Sequence, residues 1–132
     1  MKGFRSNIER DTLQNEDFRR VLYTGKHSQL VLMSLLPGEE IGEEVHETVD
    51  QFFRFEKGEG VVSIDGVQSK VRDGDAAIVP SGARHNVINT SKAEKLKLYT
   101  IYSPPEHADG TVRKTRADAL RSPEEFDGKA TE

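Results

Sequence analysis

Closely spaced glycine turns restrict the fold of this chain more than any other feature. Within residues 18–102 they separate short segments, such as 29–36 and 95–102, in which apolar residues follow the two-residue period of a β-strand. The pair Asp65-Gly66 tolerates positive φ angles and is typical of the type I′ turn of a hairpin. Such short segments favour an all-β domain, in which closure into a barrel or a two-sheet roll protects the strand edges.

Chain length and apolar content indicate one small domain with terminal extensions. The chain has 132 residues, of which 34% are hydrophobic, so two separate cores would both be marginal. We predict an N-terminal arm over 1–17, a β-barrel over 18–105 and a tail over 106–132 that packs on or beside the barrel. Ser122 followed by Pro123 resembles a helix start with serine as the N-cap, so the tail is expected to hold at most one short helix.

Composition excludes several classes of protein. Without cysteine the chain forms no disulfide and offers no thiolate to a metal. Its formal net charge is −4 and its basic residues are dispersed, which argues against a nucleic-acid partner. No apolar run is long enough to cross a bilayer, and the N-terminus lacks the apolar centre of a secretion signal. We therefore expect a cytoplasmic protein without a membrane partner.

The two-residue period of a β-strand predicts which face of its strand each of four polar residues occupies. Glu44 and His46 lie two residues apart, so their side chains share one face of a strand. In the next strand Gln51 shares its face with two phenylalanines, whereas Asp50 shares its face with other charged residues. Gln51 is therefore expected inside and Asp50 outside. Phe52 would also lie outside, which suggests a homodimer interface or merely a tolerated surface residue.

A second segment adds one more inward histidine. His85, Val87 and Asn89 share one face of a strand, and burial of Val87 would carry His85 into the same interior. His85 would then converge with the carboxylate, the imidazole and the amide of the first segment. The two segments together predict a buried cluster of polar groups.

The residues around His85 carry a specific motif. Gly74, Pro80, Gly82, His85 and Asn89 fill the pattern G-x5-P-x-G-x2-H-x3-N without a gap. This pattern resembles the second signature of the cupin superfamily. The resemblance implies that His85 is a metal ligand.

The segment 37–60 is similar to the first cupin signature, with two substitutions. The signature begins at Gly38, Glu44 stands where its first histidine is expected, His46 stands on its second histidine, and Gln51 stands on its glutamate. With the runs VDQFFR and YTIYSPPEH, the chain resembles small single-domain bacterial cupins of the cupin_2 type, many of which carry a mannose-6-phosphate isomerase label. The resemblance implies a double-stranded β-helix, or jelly roll, with a metal inside one mouth.

A divalent metal ion is the cofactor that this residue set implies. The expected ligands are Glu44, His46, Gln51 and His85, which offer two imidazoles, one carboxylate and one amide oxygen. Such a mixed nitrogen and oxygen site suits Zn²⁺, Mn²⁺, Fe²⁺ or Ni²⁺. An octahedral ion would keep two positions open for water or a chelating substrate, as catalytic sites do. Alternatively, the histidines are ordinary surface or core residues and Gln51 satisfies backbone groups.

Tyr102 and His107 are the candidate catalytic residues. Tyr102 could donate a proton or bind substrate, or it could be a packed aromatic residue whose hydroxyl is satisfied. His107 follows two prolines and could reach over the barrel mouth, or it could be an exposed loop histidine. His27 is expected in solvent, and so are Lys95 and Lys97, which lie on the other face of the strand that carries Tyr102.

The sequence leaves more than one function open for a protein with a small-molecule ligand. The first is an enzyme in which the ion acts as a Lewis acid on a small oxygen-rich substrate, as in a sugar isomerase or epimerase. An Fe²⁺-dependent dioxygenase is the alternative enzyme, because two histidines and a carboxylate can hold iron. Outside enzymes, the ion could serve a ligand-binding module without turnover, or it could only brace the barrel.

Overall fold

Ten β-strands and two short helices make up the structure, a computed structural model that describes residues 1–132. In chain order the elements are α1 (Ile8–Gln14), β1 (Arg19–Thr24), β2 (Gln29–Leu35), β3 (Glu44–Val45), β4 (Asp50–Lys57), β5 (Glu59–Ile64), β6 (Val67–Arg72), β7 (Ala76–Val79), β8 (Arg84–Asn89), β9 (Leu96–Ser103), β10 (Val112–Arg113) and α2 (Arg116–Arg121). Helix is confined to the two ends of the chain, so the all-β prediction is confirmed.

The strands form two antiparallel sheets that face each other. The larger sheet has six strands in the order β10-β1-β2-β9-β4-β7, and the smaller has four in the order β3-β8-β5-β6. The sheets are separate hydrogen-bonded units, so the fold is a two-sheet jelly roll rather than a closed barrel. Between β5 and β6, Asp65 (φ 47°) and Gly66 (φ 82°) form the predicted tight turn.

The inward side chains change from apolar to polar along the strands. On β4 they run from Phe55 to Gln51, and on β9 from Leu98 to Tyr102, which pairs with Gln51. We call the two ends of the interior the apolar end and the polar end. The apolar end is defined by Leu35, Phe55, Leu96 and Leu98. The polar end is defined by Gln29, Gln51, His85 and Tyr102.

Strand parity is correct for β4 and wrong for one residue of β9. Gln51 is 2% exposed and Asp50 is exposed, as predicted. Lys97, expected in solvent, is only 5% exposed. Its ammonium group contacts the carbonyl oxygen of Asn15 and lies 2.9 Å from a carboxylate oxygen of Glu16. The outer face of β9 is covered here because the segment after α1 folds back over it.

The helix of the tail lies before the predicted start. Ser122 is the C-cap of α2, not an N-cap, and the side chain of Thr115 caps the N-terminus by accepting from the backbone N–H of Asp118. Pro123 disfavours a helical conformation at Ser122, so the helix ends before it. Beyond α2, the backbone N–H of Thr131 donates to the carbonyl oxygen of Thr24, which fastens the tail to β1. Neither helix has the length and apolar character that crossing a membrane requires.

Candidate metal centre

Glu44, His46 and His85 converge at the polar end. One ligand atom from each residue lies within 4.8 Å of the others. β3 pairs with β8 so that Glu44 is directly opposite His85. Gly82, whose φ of 86° favours glycine, donates its N–H to the carbonyl oxygen of His46 at 2.8 Å. Backbone contacts between the two motifs therefore bring three of the four predicted ligands together.

Both histidines are oriented through their Nδ1 atoms. His85 Nδ1 lies 3.2 Å from the carbonyl oxygen of Ala83, and His46 Nδ1 lies 3.4 Å from Glu106 Oε1. An oxygen acceptor at Nδ1 favours the tautomer with its proton there, which leaves the Nε2 lone pair free. His46 Nε2 is buried and lies 3.0 Å from Glu44 Oε2. This is the arrangement that orients histidine ligands in metal sites, and it fits a divalent ion.

The charges in the cluster favour a cation. Burial alone would lower the pKa of His46, yet the carboxylates of Glu106 and Glu44 raise it to about 9. Burial would raise the pKa of Glu44, but the imidazole of His46 holds it below its usual range. A proton on His46 and a metal ion would therefore both be stabilised by the two carboxylates, and they would compete for the same nitrogen.

Gln51, the fourth predicted ligand, offers a free oxygen at the polar end. Its Nε2 donates to Thr100 Oγ1 at 3.0 Å, so the amide contacts a side chain and not the backbone. Its Oε1 is buried and has no hydrogen-bond partner. An amide oxygen without a donor is suited to a cation, and ligation by Gln51 stays a prediction.

Tyr102 and His107 contact each other beside the cluster. Tyr102 Oη lies 3.2 Å from His107 Nε2, and the Tyr102 ring meets the His46 ring edge-on at a centroid distance of 5.9 Å. Burial raises the pKa of Tyr102, so its hydroxyl keeps its proton at neutral pH. His107 is 7% exposed, so the alternative of an exposed loop histidine is wrong. Its Nδ1 lies 2.8 Å from Glu124 Oε1 in the tail.

Gln29 fixes the segment that carries Glu106 and His107. Its Oε1 accepts from the backbone N–H groups of these two residues at 3.2 and 3.0 Å. Its Nε2 donates to the carbonyl oxygen of His107 at 2.8 Å. One buried glutamine therefore holds both the carboxylate that faces His46 and the imidazole that faces Tyr102.

A cavity of about 230 Å³ lies beside the cluster, and His85 does not belong to its wall. Glu44, His46 and His107 belong to its wall, whereas Tyr102 lies behind His107. Four further charged residues of the wall escaped the sequence prediction. They are Arg19, Glu106, Arg116 and Glu124.

Only one of these four had a signal in the sequence. Arg19 shares a face of β1 with the buried Val21, so strand alternation could have identified it as an inward residue. Glu106, Arg116 and Glu124 follow the strand β9, and long-range contacts, not a local period, determine where they lie. The cavity wall therefore combines residues of the strands with residues of the C-terminal tail.

Comparison with known proteins connects this geometry with one family. Residues 31–102 match the family model described as a cupin domain, a range that includes all four predicted ligands and Tyr102. The uncharacterized protein YrkC of Bacillus subtilis (strain 168) is 51% identical over 125 residues, which cover 90% of this chain and 67% of that protein.

Solved structures with a similar fold include one from Bacillus halodurans and one from Thermotoga maritima. A Bacillus halodurans protein, solved at 1.41 Å resolution, shares 45% identity with a TM-score of 0.89 over 92% of this chain and 96% of its own. A predicted oxalate decarboxylase from Thermotoga maritima shares 26% identity with a TM-score of 0.57 over 60% of this chain and 68% of its own. The first of these similarities extends over nearly the whole of both chains.

Proposed function

The chain belongs to the cupin family, and we propose that its polar cavity is the active site of a metal-dependent enzyme for a small, oxygen-rich substrate. The observation that carries this proposal is the cluster of Glu44, His46 and His85, whose ligand atoms lie within 4.8 Å of one another. A divalent ion held there would act as a Lewis acid on a substrate oxygen and stabilise the negative charge that develops on it. Sugar isomerisation or epimerisation is the reaction that we favour.

Residues beside the cluster are suited to proton transfer. His107 belongs to the cavity wall, and its ring is held between Glu124 at Nδ1 and the Tyr102 hydroxyl at Nε2. Since both ring nitrogens face a neighbour, the substrate proton would reach His107 through the Glu124 carboxylate, which also belongs to the cavity wall, and would return to a neighbouring carbon by the same route, as isomerases and epimerases require. Tyr102 lies behind the imidazole, so we assign it a positioning role.

A second candidate function is an Fe²⁺-dependent dioxygenase. The observation that favours it is the composition of the cluster, since two histidines and one carboxylate are the ligand set of many non-haem iron oxygenases. The similarity to a predicted oxalate decarboxylase also supports a small, oxygen-rich substrate, and it fits either enzyme. A binding module without turnover would use the same cluster and cavity.

Metal reconstitution tests the site. The purified protein is stripped with a chelator, reloaded separately with Mn²⁺, Fe²⁺, Ni²⁺ or Zn²⁺, and assayed by elemental analysis. We expect about one ion per chain in the wild type, loss of the ion in His85→Ala, and full metal content in His27→Ala, whose imidazole is exposed. Full metal content in His85→Ala would contradict the site.

Activity assays on the reloaded protein separate the candidate functions. Metal-dependent aldose–ketose conversion or epimerisation would support the isomerase. Oxygen uptake that occurs only with Fe²⁺ would replace it with the dioxygenase. Saturable binding of sugars without turnover would reduce the function to a binding module.

We also propose that the protein is a homodimer that pairs through the outer face of the larger sheet. Phe52 is half-buried there, and its ring lies 6.2 Å from that of Tyr99. Its register neighbours on either side are Ile78, which is 66% exposed, and Ile101. Light scattering after size-exclusion chromatography should give a dimer for the wild type and a monomer for Ile78→Lys. A monomeric wild type would remove the proposal.

A further inference from the structure

We propose that Arg19 binds the carboxylate of the substrate, and that the substrate is a small hydroxy acid or keto acid. This inference rests on the proposed function, because it keeps the same metal site and Lewis-acid chemistry and replaces the sugar by a short acid as the substrate class. Arg19 lies on β1 and belongs to the cavity wall together with Glu44 and His46. A carboxylate held by Arg19 would leave the hydroxyl or keto oxygen of the same molecule free to face the metal cluster.

Arg19 is a buried cation whose donors are not all used. Its side chain is 9% exposed, and its Nε is buried without a hydrogen bond. The carboxylate within ion-pair distance, that of Glu124, lies 3.9 Å from Arg19 Nη1, which is too far for a hydrogen bond. Glu124 lies closer to His107 Nδ1, at 2.8 Å, and to Arg113 Nη2, at 3.5 Å. The guanidinium therefore retains donors for another anion.

The position of the guanidinium is fixed before any ligand arrives. It lies over the ring of Phe18, 5.4 Å from the centroid, and Phe18 is itself 3% exposed. Arg19 and Glu44, a residue of the metal cluster, belong to the wall of the same cavity. A preorganised arginine close to a metal site is suited to a carboxylate, because its planar fork matches the two carboxylate oxygens.

The charge of the cavity favours a singly charged anion. The wall carries the guanidinium groups of Arg19 and Arg116 and the carboxylates of Glu44, Glu106 and Glu124. When a divalent ion replaces the proton on His46, these groups and the ion together carry one excess positive charge. A substrate with a single carboxylate would neutralise that excess, whereas a neutral sugar would leave it buried and uncompensated.

The size of the cavity limits the acid to a few carbons. Its volume of about 230 Å³ lies below the ~300–1,000 Å³ of pockets for drug-sized ligands. A hydroxy or keto oxygen next to the carboxylate gives a molecule of this size a second contact at the metal cluster. The class that satisfies the charge, the size and both contacts is therefore the short α-hydroxy and α-keto acids.

Titration calorimetry of the Mn²⁺-loaded protein tests the assignment, with glycolate, L-lactate and pyruvate as acids and 1,2-propanediol as the neutral probe. We expect the wild type to bind at least one acid about tenfold or more tightly than 1,2-propanediol, and Arg19→Gln to lose roughly tenfold or more of that affinity. Arg20→Gln is the matched control, because Arg20 is exposed and pairs with Asp17, and it should bind like the wild type. Arg19→Lys keeps the charge without the fork and should bind with intermediate affinity.

Elemental analysis of each protein before titration separates a failure of the metal site from a failure of the Arg19 assignment. Three outcomes would overturn the assignment of Arg19 while the metal centre stands: unchanged acid affinity in metal-loaded Arg19→Gln, equal affinity of the wild type for acids and 1,2-propanediol, or no binding of any acid. Tighter binding of inorganic phosphate than of any acid would overturn the choice of substrate class. A wild type that holds no metal would overturn the proposed function and this inference with it.

Discussion

The apolar end and the polar end of the interior lie on the same strands, yet their side chains meet opposite requirements. Phe55 and Leu98 pair at the apolar end, and Gln51 and Tyr102 pair two inward positions further along the same two strands. The apolar end has few polar atoms to satisfy. The polar end buries Gln51 Oε1 without a hydrogen bond, which costs about 1–3 kcal/mol of stability.

The two ends of the interior therefore differ in role, although the inward residues of the same strands form both. Side chains at the apolar end stabilise the roll through burial, and those at the polar end keep donor atoms available for a ligand at some cost in stability. Substitutions at the apolar end should therefore lower stability and leave metal affinity unchanged, whereas substitutions at the polar end should lower metal affinity and leave stability nearly unchanged. The following variants test this, from the largest expected effect to the smallest.

Phe55→Ala should have the largest effect. Phe55 is fully buried, so its truncation should lower the free energy of unfolding of the metal-free protein by ~3–5 kcal/mol, measured by urea denaturation. Phe52→Ala, on the outer face of the same strand, should cost less because Phe52 is half-exposed. The folded Phe55→Ala protein should keep metal affinity close to that of the wild type, because the ring of Phe53 lies between Phe55 and His85, 6.3 Å from each. Loss of metal from the folded variant would show that the ends are coupled.

Glu106→Gln, at the polar end, should produce the next largest effect, and that effect should be on metal affinity. Its carboxylate lies 3.4 Å from His46 Nδ1, and loss of such a contact behind a metal ligand typically costs 10–100-fold in metal affinity. Competition against a chromophoric chelator measures this change. Glu43→Gln is the matched control, because Glu43 is exposed and pairs with Arg84. Equal losses in the two variants would mean that net charge, and not the contact with His46, sets the affinity.

Strand period explains what the sequence could predict. A two-residue alternation is local, so it placed Gln51 inside, Asp50 outside and His85 in the same interior, and the structure agrees in each case. The pairing of Glu44 with His46 followed from the same rule, and the two side chains lie 3.0 Å apart. Residues on regular strands, including three of the predicted ligands, were therefore accessible without any knowledge of the tertiary fold.

Residues that depend on packing between distant segments were not accessible in this way. Lys97 alternates like a solvent residue, but the segment near Glu16 covers it. Glu106 and Glu124 lie in a tail without periodicity, and the direction of each side chain depends on contacts with Gln29 or His107. Strand alternation predicts which face of a strand a residue occupies. The residues of the cavity wall depend instead on where the C-terminal tail packs against the strands.

Gln51→Leu should have a smaller effect and would sharpen the description of the polar end. If Gln51 Oε1 contacts the ion, its removal should lower metal affinity by about tenfold or less, because a neutral oxygen contributes less than a charged ligand. Thr100→Val removes only the acceptor of the Gln51 amide and serves as the control. Affinity in Gln51→Leu that equals that of the wild type would establish a three-residue site.

The smallest effect concerns the charges that cover the outer face of β9 close to the apolar end. The ammonium groups of Lys95 and Lys97 lower the pKa of Glu16 from 4.5 to about 2. A carboxyl group whose pKa is lower in the folded state stabilises the fold above its unfolded pKa and loses this contribution as the pH falls through the folded pKa. The difference in unfolding free energy between wild type and Glu16→Gln should therefore be constant above about pH 5 and shrink between pH 4.5 and 2.

This difference should be modest, because the side chain of Glu16 is 61% exposed and solvent screens its ion pairs. Urea denaturation at several pH values measures it, with Glu9→Gln as a control on the solvent-exposed side of α1. Metal affinity at neutral pH should be the same in all three proteins, since Glu16 lies outside the cavity wall. A fall in metal affinity for Glu16→Gln would mean that the charges covering β9 also act on the polar end. The apolar end and the polar end would then not be energetically independent.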